Sequence, residues 1–170
     1  PDDTYPFKDL AGVGVIFKVM CALEHALTQD PMIDCVRRLL ESYADLVAIG
    51  TIADVMPICG ENKIIVKLGL AMMENTERPG LIALFRAVSG TQDDRAKAKK
   101  RSKVSSGFIG YTIAPRINAA GRIRSASIAV ELFLSNTVEA ALPYAQELCD
   151  ANKERQEEEN HIVQEAYDMI

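Results

Sequence analysis

The chain has 170 residues, 48% of them hydrophobic and 25% charged, and a net charge of −5. That balance belongs to a soluble globular protein able to bury a core without disulfides or structural metal, and it excludes wholesale disorder and collagen-like structure. Four cysteines with no C-x-x-C pair, and a longest apolar stretch (Leu10–Leu23) broken by Lys18, exclude a secreted disulfide framework and a membrane span, so the cytoplasm is the expected compartment.

The chain opens on Pro-Asp-Asp-Thr without an initiator Met or a signal-peptide pattern, which makes an internal piece of a longer protein the expectation. Between Lys8 and Thr28, residues Leu10, Val13, Ile16, Phe17, Met20, Leu23 and Leu27 recur at helical spacing, with Val15 and Val19 on a second side, so the sequence predicts a helix buried over most of its surface. Gly12 and Gly14 near its start are expected to mark close approach of another backbone. Pro31 opens a second predicted helix through about Glu41. The run Asp45–Val55 is then continuous and apolar and ends in a glycine and polar residues, the pattern of a buried parallel strand feeding a loop that carries Thr51 and Asp54. Helices follow at Asn62–Met73 and Pro79–Val88. Phe108–Arg124 is rich in Gly, Pro and Asn and reads as an ordered loop or short strand. Ser125–Leu134 is helical, and Thr137 caps a long helix whose apolar stripe nearly vanishes between Asp150 and Asn160. A helix wet all round in its middle often bridges two bodies.

Charge is uneven along the sequence. Thr91–Lys103 carries six basic residues against two acids, an excess of +4, and Asp150–Ile170 carries seven acids against two bases, an excess of −5. The basic run is a solvated loop or a contact to a phosphate backbone, and no aromatic is interleaved for base stacking. The acidic stretch reads as the wet face of a helix.

Two places carry candidate chemistry. Asp54 is a carboxylate delivered after a buried segment; it is a turn residue, or an oxygen ligand for Mg2+ or Mn2+. Pro115-Arg116-Ile117-Asn118-Ala119-Ala120-Gly121-Arg122 sets two arginines around small residues, either as a phosphate site, where planar guanidinium forks meet oxygen, or as a tight turn whose arginines pair with carboxylates. His25 and His161 lie on helical stretches far from any carboxylate cluster and read as structural or solvated.

D-L-V-A-I-G-T-I-A-D-V-M-P at 45–57, the following G-E-N, P-R-I-N-A-A-G-R at 115–122, N-K-E-R-Q at 152–156 and the opening Y-P-F-K-D-L-A-G-V-G-V-I-F-K together resemble the RecJ family of the DHH phosphoesterase superfamily, over nearly the whole chain and in the family's order. The resemblance implies an α/β fold. Here it is the C-terminal part of a DHH-type parallel-sheet domain, mostly helical in this stretch and ending in a long interdomain helix. Residues 1–90 would complete the catalytic domain, 91–136 form a basic linker with a phosphate-facing loop and its helix, and 137–170 connect toward a second domain. The function implied is 5′-to-3′ exonuclease action on single-stranded DNA in repair and recombination, with Mg2+ or Mn2+, and other DNA repair proteins are candidate partners. Asp54 would match a metal-binding aspartate. Arg116, Asn118, Gly121 and Arg122 would match the loop facing the DNA backbone and its terminal phosphate. The family's other metal-binding motifs, Asp-His-His among them, would lie upstream, and a glycine-rich second domain downstream. The competing readings are a cyclic or short-oligonucleotide phosphodiesterase of the same superfamily and a helical binding module without catalysis.

Overall fold

The computed structural model describes residues 4–90 and 104–169. Among them the chain forms α1 Gly12–Thr28, α2 Met32–Ala53, α3 Gly60–Glu74, α4 Pro79–Ser89, α5 Ser106–Phe108, a π-helical segment Ile109–Ile113, α6 Ala114–Ile123, α7 Ser127–Leu134 and α8 Val138–Asp168. No described residue is in a strand. The basic run 91–103 lies outside the described residues. None of the described helices is long and apolar enough to cross a membrane. The chain divides into two compact units, the first comprising residues 4–75 and 104–114 and the second residues 76–90 and 115–169.

In the first unit α2 packs against both α1 and α3. Its core joins Phe17 and Cys21 of α1, Leu39 and Val47 of α2, and Ile65 of α3, with Val13, Met20, Val36 and Leu40 against them. The strand expected over Asp45–Val55 is instead the second half of α2, which runs on from the predicted short helix to Ala53. A short apolar run fits a buried strand and a buried helix equally, and here burial falls on nearly every side of the helix: Ala44, Asp45, Val47, Ala48, Ile49 and Thr51 are all buried. Gly50 does not end the element. A Cβ there would come within 2.7 Å of Val13 Cγ1, and one at Gly69 would run into the Ala44 carbonyl oxygen, so these glycines let α1 and α3 approach α2 closely. The close approach expected at Gly12 and Gly14 is not found: a Cβ at Gly12 meets nothing within 4 Å, and one at Gly14 meets the side chain of Leu10. α1 is also less buried than expected. Only Gly14, Phe17 and Cys21 are buried in it, because within this unit α2 covers one face, and Val15, Ile16, Val19, Leu23 and Leu27 are exposed.

Phe108–Arg124, expected as a loop or short strand, is helical. Ser105 Oγ accepts from the Phe108 N–H (3.1 Å) to start α5, and the helix passes through the π segment into α6. The wide turn has a local cause. In a regular helix Pro115 would lack its amide bond and press its ring on the carbonyl four residues back; here the Ala114 N–H bonds to Ile109 O, five residues back, and this shifts the register just before the proline.

In the second unit, Pro79 occupies the first turn of α4 and Gly90 closes it at φ +64°, the usual placement of these two residues. Leu81, Ala83 and Leu84 of α4, Ala129 and Leu132 of α7, and Ala141, Ala145, Leu148 and Ala151 of α8 are buried, and these three helices pack on one another. Thr137 caps α8 as its sequence predicts, its hydroxyl accepting from the Ala140 N–H (3.1 Å). No described residue after Asn152 is buried. That half of α8 carries the pairs Lys153–Glu157 and Arg155–Glu159 and the neighbours His161 and Glu165 at one-turn spacing.

Candidate functional site

Asp54 caps the end of α2. Its N–H donates to Gly50 O (3.0 Å), the Val55 N–H to Ile52 O (3.1 Å) and the Met56 N–H to Thr51 O (3.2 Å). The last two are the paired bonds of a Schellman turn, whose left-handed position is usually glycine. Here it is Val55, at φ +55° and almost fully exposed, a β-branched residue in a conformation costing roughly 1–2 kcal/mol. Strain of this kind concentrates at functional positions. The Asp54 side chain is exposed. Thr51 lies one turn back, fully buried with its hydroxyl donating to Val47 O (2.8 Å), so the helix takes it out of the site where the strand reading had placed it.

The segment after Asp54 is fastened by the G-E-N triplet at the start of α3. Asn62, fully buried, donates from Nδ2 to the carbonyls of Pro57 (3.0 Å) and Asp9 (2.6 Å). Gly60 sits at φ +48°, where a Cβ would come within 2.6 Å of the Phe7 ring. Glu61 accepts from the Tyr5 hydroxyl (2.6 Å) and pairs with Lys18, whose ammonium also lies 5.7 Å from the Tyr5 ring centre. The opening Y-P-F-K-D and the later G-E-N are thus two halves of one contact: Tyr5 with Glu61, Phe7 with Gly60, Asp9 with Asn62.

This pairing carries a pH dependence. Burial pushes the Glu61 carboxyl up, but its hydrogen bonds from Lys18 and Tyr5 and the Lys18 charge outweigh it and hold Glu61 below its ordinary 4.5. Burial likewise pushes Lys18 down, and Glu61 and Tyr5 outweigh it to hold the ammonium above 10.5. A lowered acid stabilises above its unfolded pKa and loses that as pH falls through its folded pKa; a raised base stabilises below its unfolded pKa and loses that as pH rises through its folded pKa. Glu61→Gln should therefore cost on the order of 0.5–1 kcal/mol near neutral pH, a partly exposed pair being worth no more. The deficit should shrink below about pH 4.5. Melting temperatures of the two proteins at pH 3, 5 and 7 check this, and a gap that stays constant into acid would remove the ion pair.

Beside the Asp54 turn, a cleft of about 300 Å³ is lined by Ile52, Ala53, Val55, Met56 and Ile58 and by Ser106, Gly107, Gly110 and Tyr111. Tyr111 is almost fully exposed. Neither Asn62 nor Tyr111 is a candidate on sequence alone; the signals that point to them are the G-E-N string and an aromatic close to two glycines.

Arg116, Asn118, Gly121 and Arg122 all lie on α6, in the second unit, whereas Asp54 lies in the first. They form a helical surface rather than a loop. Asn118 and Arg122 are exposed and one turn apart, and between them Gly121 leaves open space, with nothing within 4 Å of an added Cβ. Arg116 stands two positions before Asn118, about 200° round the helix, and is half-buried. The two arginines of the motif therefore leave the helix in different directions. A neighbouring arginine, Arg124, pairs with carboxylates, bonding Glu147 (3.3 Å) and Glu154 (3.5 Å) of α8. Its hydrogen bond to Glu147, then that to Glu154, holds the guanidinium above its ordinary pKa.

As a hard oxygen donor on an exposed turn, Asp54 suits Mg2+ or Mn2+ as one ligand. No group of three or more His, Cys, Asp or Glu able to hold an ion occurs among the described residues, so Asp54 does not make a metal site with its described neighbours.

No family model matches the chain. Relatives do. The single-stranded-DNA-specific exonuclease RecJ of Bacillus subtilis is 40% identical over 170 residues, all of this chain and 19% of the relative. The protein of that name from Escherichia coli is 34% identical over 97% of this chain and 28% of its own length. Among solved structures, exonuclease RecJ bound to manganese superposes with a TM-score of 0.76 at 35% identity, over 97% of this chain and 38% of that one. RecJ of Thermus thermophilus in complex with Mg2+ does so with a TM-score of 0.74 at 34% identity, over 95% and 23%. The chain spans 19% and 28% of the lengths of these two curated relatives. With its sequence matched from end to end and its helices superposing on theirs, it belongs to the RecJ family, matching one stretch of those longer relatives.

Proposed function

We propose that the chain is part of a metal-dependent 5′-to-3′ exonuclease that hydrolyses single-stranded DNA in cytoplasmic repair and recombination. The observation that carries this is the match over the whole chain, in sequence and in fold, to RecJ exonucleases specific for single-stranded DNA and solved with Mg2+ or Mn2+. The DHH-type sheet and the remaining metal ligands lie, on this reading, outside the described residues, and the half of α8 without buried residues connects to a further domain. Other repair proteins are candidate partners.

Asp54 is assigned to hold metal. When bound, such ions polarise the phosphate and make water a nucleophile at neutral pH. The strained turn presents the carboxylate, and α6 contributes DNA contact, with Arg122 and Asn118 on its open face toward the phosphate backbone, Gly121 allowing close approach, and Arg116 from its other side. Such contacts carry affinity and position the strand without reading bases. Because one carboxylate cannot make a two-ion site, the 170 residues alone are expected to be inactive.

The α6 assignment is tested by salt. In the full-length protein, Arg122→Ala should weaken binding of single-stranded DNA almost equally for all sequences and reduce the salt slope by about 0.7, with the melting temperature unchanged. Arg116→Ala should do the same and also lower the melting temperature, since the side chain is half-buried. An unaltered slope in the Arg122 variant would remove the phosphate contact.

A further inference from the structure

We infer that Asn62, on α3, is a positioning residue for Asp54: it fixes the turn that presents the carboxylate, and so sets the metal affinity of a site it does not touch. The inference rests on the reading of Asp54 as a metal ligand.

Six residues, Asp54 to Cys59, link α2 to α3. At their start the Schellman bonds of Val55 and Met56 hold the chain to the last turn of α2, but this hold depends on a valine in the left-handed region, which on its own favours other conformations. Something beyond the turn must keep it there. The second fastening is Asn62, whose Nδ2 donates to Pro57 O (3.0 Å), three residues past Asp54. The same nitrogen donates to Asp9 O (2.6 Å), so one amide ties the linking segment and the N-terminal segment to α3. Asn62 is fully buried, and its Oδ1 accepts no hydrogen bond among the described residues. A buried amide that leaves its acceptor unused is retained for its two donors, and both go to backbone carbonyls. Replacing the side chain would strand those carbonyls and free Pro57, leaving Val55 to relax and the Asp54 carboxylate to move. Partners that orient a metal ligand typically change affinity by about 10- to 100-fold when removed.

The test uses the full-length protein with Mn2+ as the probe, its free concentration followed by electron paramagnetic resonance so that binding is read without turnover. Four variants are compared at low temperature after circular dichroism: Asp54→Ala, Asn62→Ala, Asn62→Ser and Glu61→Gln. Glu61→Gln disturbs the neighbouring contact to Tyr5 and Lys18 but leaves the bond to Pro57 in place. Asn62→Ala should fold and bind Mn2+ at least tenfold more weakly, Asn62→Ser should fall between it and the wild type, and Glu61→Gln should stay within twofold. Amide exchange at Val55 and Met56 should speed up in the Asn62 variants only. Wild-type Mn2+ affinity in a folded Asn62→Ala protein, an equal loss in Glu61→Gln, or failure of both Asn62 variants to fold would each overturn the inference, the last by making Asn62 a residue of general stability. Wild-type affinity in Asp54→Ala would instead overturn the underlying metal reading.

Discussion

Asp54→Ala in the full-length protein should lower turnover on single-stranded DNA by more than about 10³-fold, since loss of a direct ligand exceeds the 10- to 100-fold cost of an outer partner. The fold should not notice. The bonds that end α2 are made by backbone amides of residues 54, 55 and 56, which alanine preserves, and the side chain is exposed, so stability should change by no more than about 0.5 kcal/mol. Steady-state release of mononucleotides with Mn2+, together with a melting curve, checks both halves. Wild-type turnover would remove Asp54 from the metal site.

The largest effect on stability is expected at Gly69. A Cβ there would overlap the Ala44 carbonyl oxygen and lie 2.5 Å from Ala48 Cβ, so α3 can approach α2 only with a glycine at this position. Backbone cannot swing aside as a side-chain tip can. Gly69→Val should cost about 3 kcal/mol, the upper end of overpacking, which for a chain of this size is a fall of roughly 6–12 °C in melting temperature. Gly121→Ala is the matched control: its added methyl meets nothing within 4 Å, and alanine gains up to about 1 kcal/mol of helix propensity, so the melting temperature should hold or rise. Equal losses in the two would show that glycine at position 69 serves something other than helix contact.

What the sequence made legible follows from period. α1, α3, α4, α7 and α8 carry apolar stripes at helical spacing, and the Thr137 cap stands where Thr137 does. The two misread elements lie where that signal fails for identifiable reasons. Ala44–Thr51 is buried on so many sides that even its polar residues, Asp45 and Thr51, are buried and mark no solvent face, and Gly50, a contact for Val13, looked like a terminator. In 108–124 the residues Gly110, Pro115, Asn118 and Gly121 each argue against a helix, and a π turn ahead of Pro115 is a remedy no local propensity shows. Of the candidate site, Asp54 and the α6 residues were legible as motif strings. The Val55 conformation and the reach of Asn62 to Pro57 were not, although both are local: a valine in the left-handed region runs against its propensity, and an asparagine donating to the carbonyl five residues back leaves no periodic signal.

Metal-dependent exonuclease action on single strands is decided by the products of the full-length protein on 3′-labelled DNA with a 5′-phosphate, in Mn2+ and in chelator. Single strands should shorten progressively from the 5′ end, only with metal, while blunt duplexes of the same sequence survive. Degradation of duplexes at the same rate, shortening from the 3′ end, or undiminished activity in chelator would contradict it.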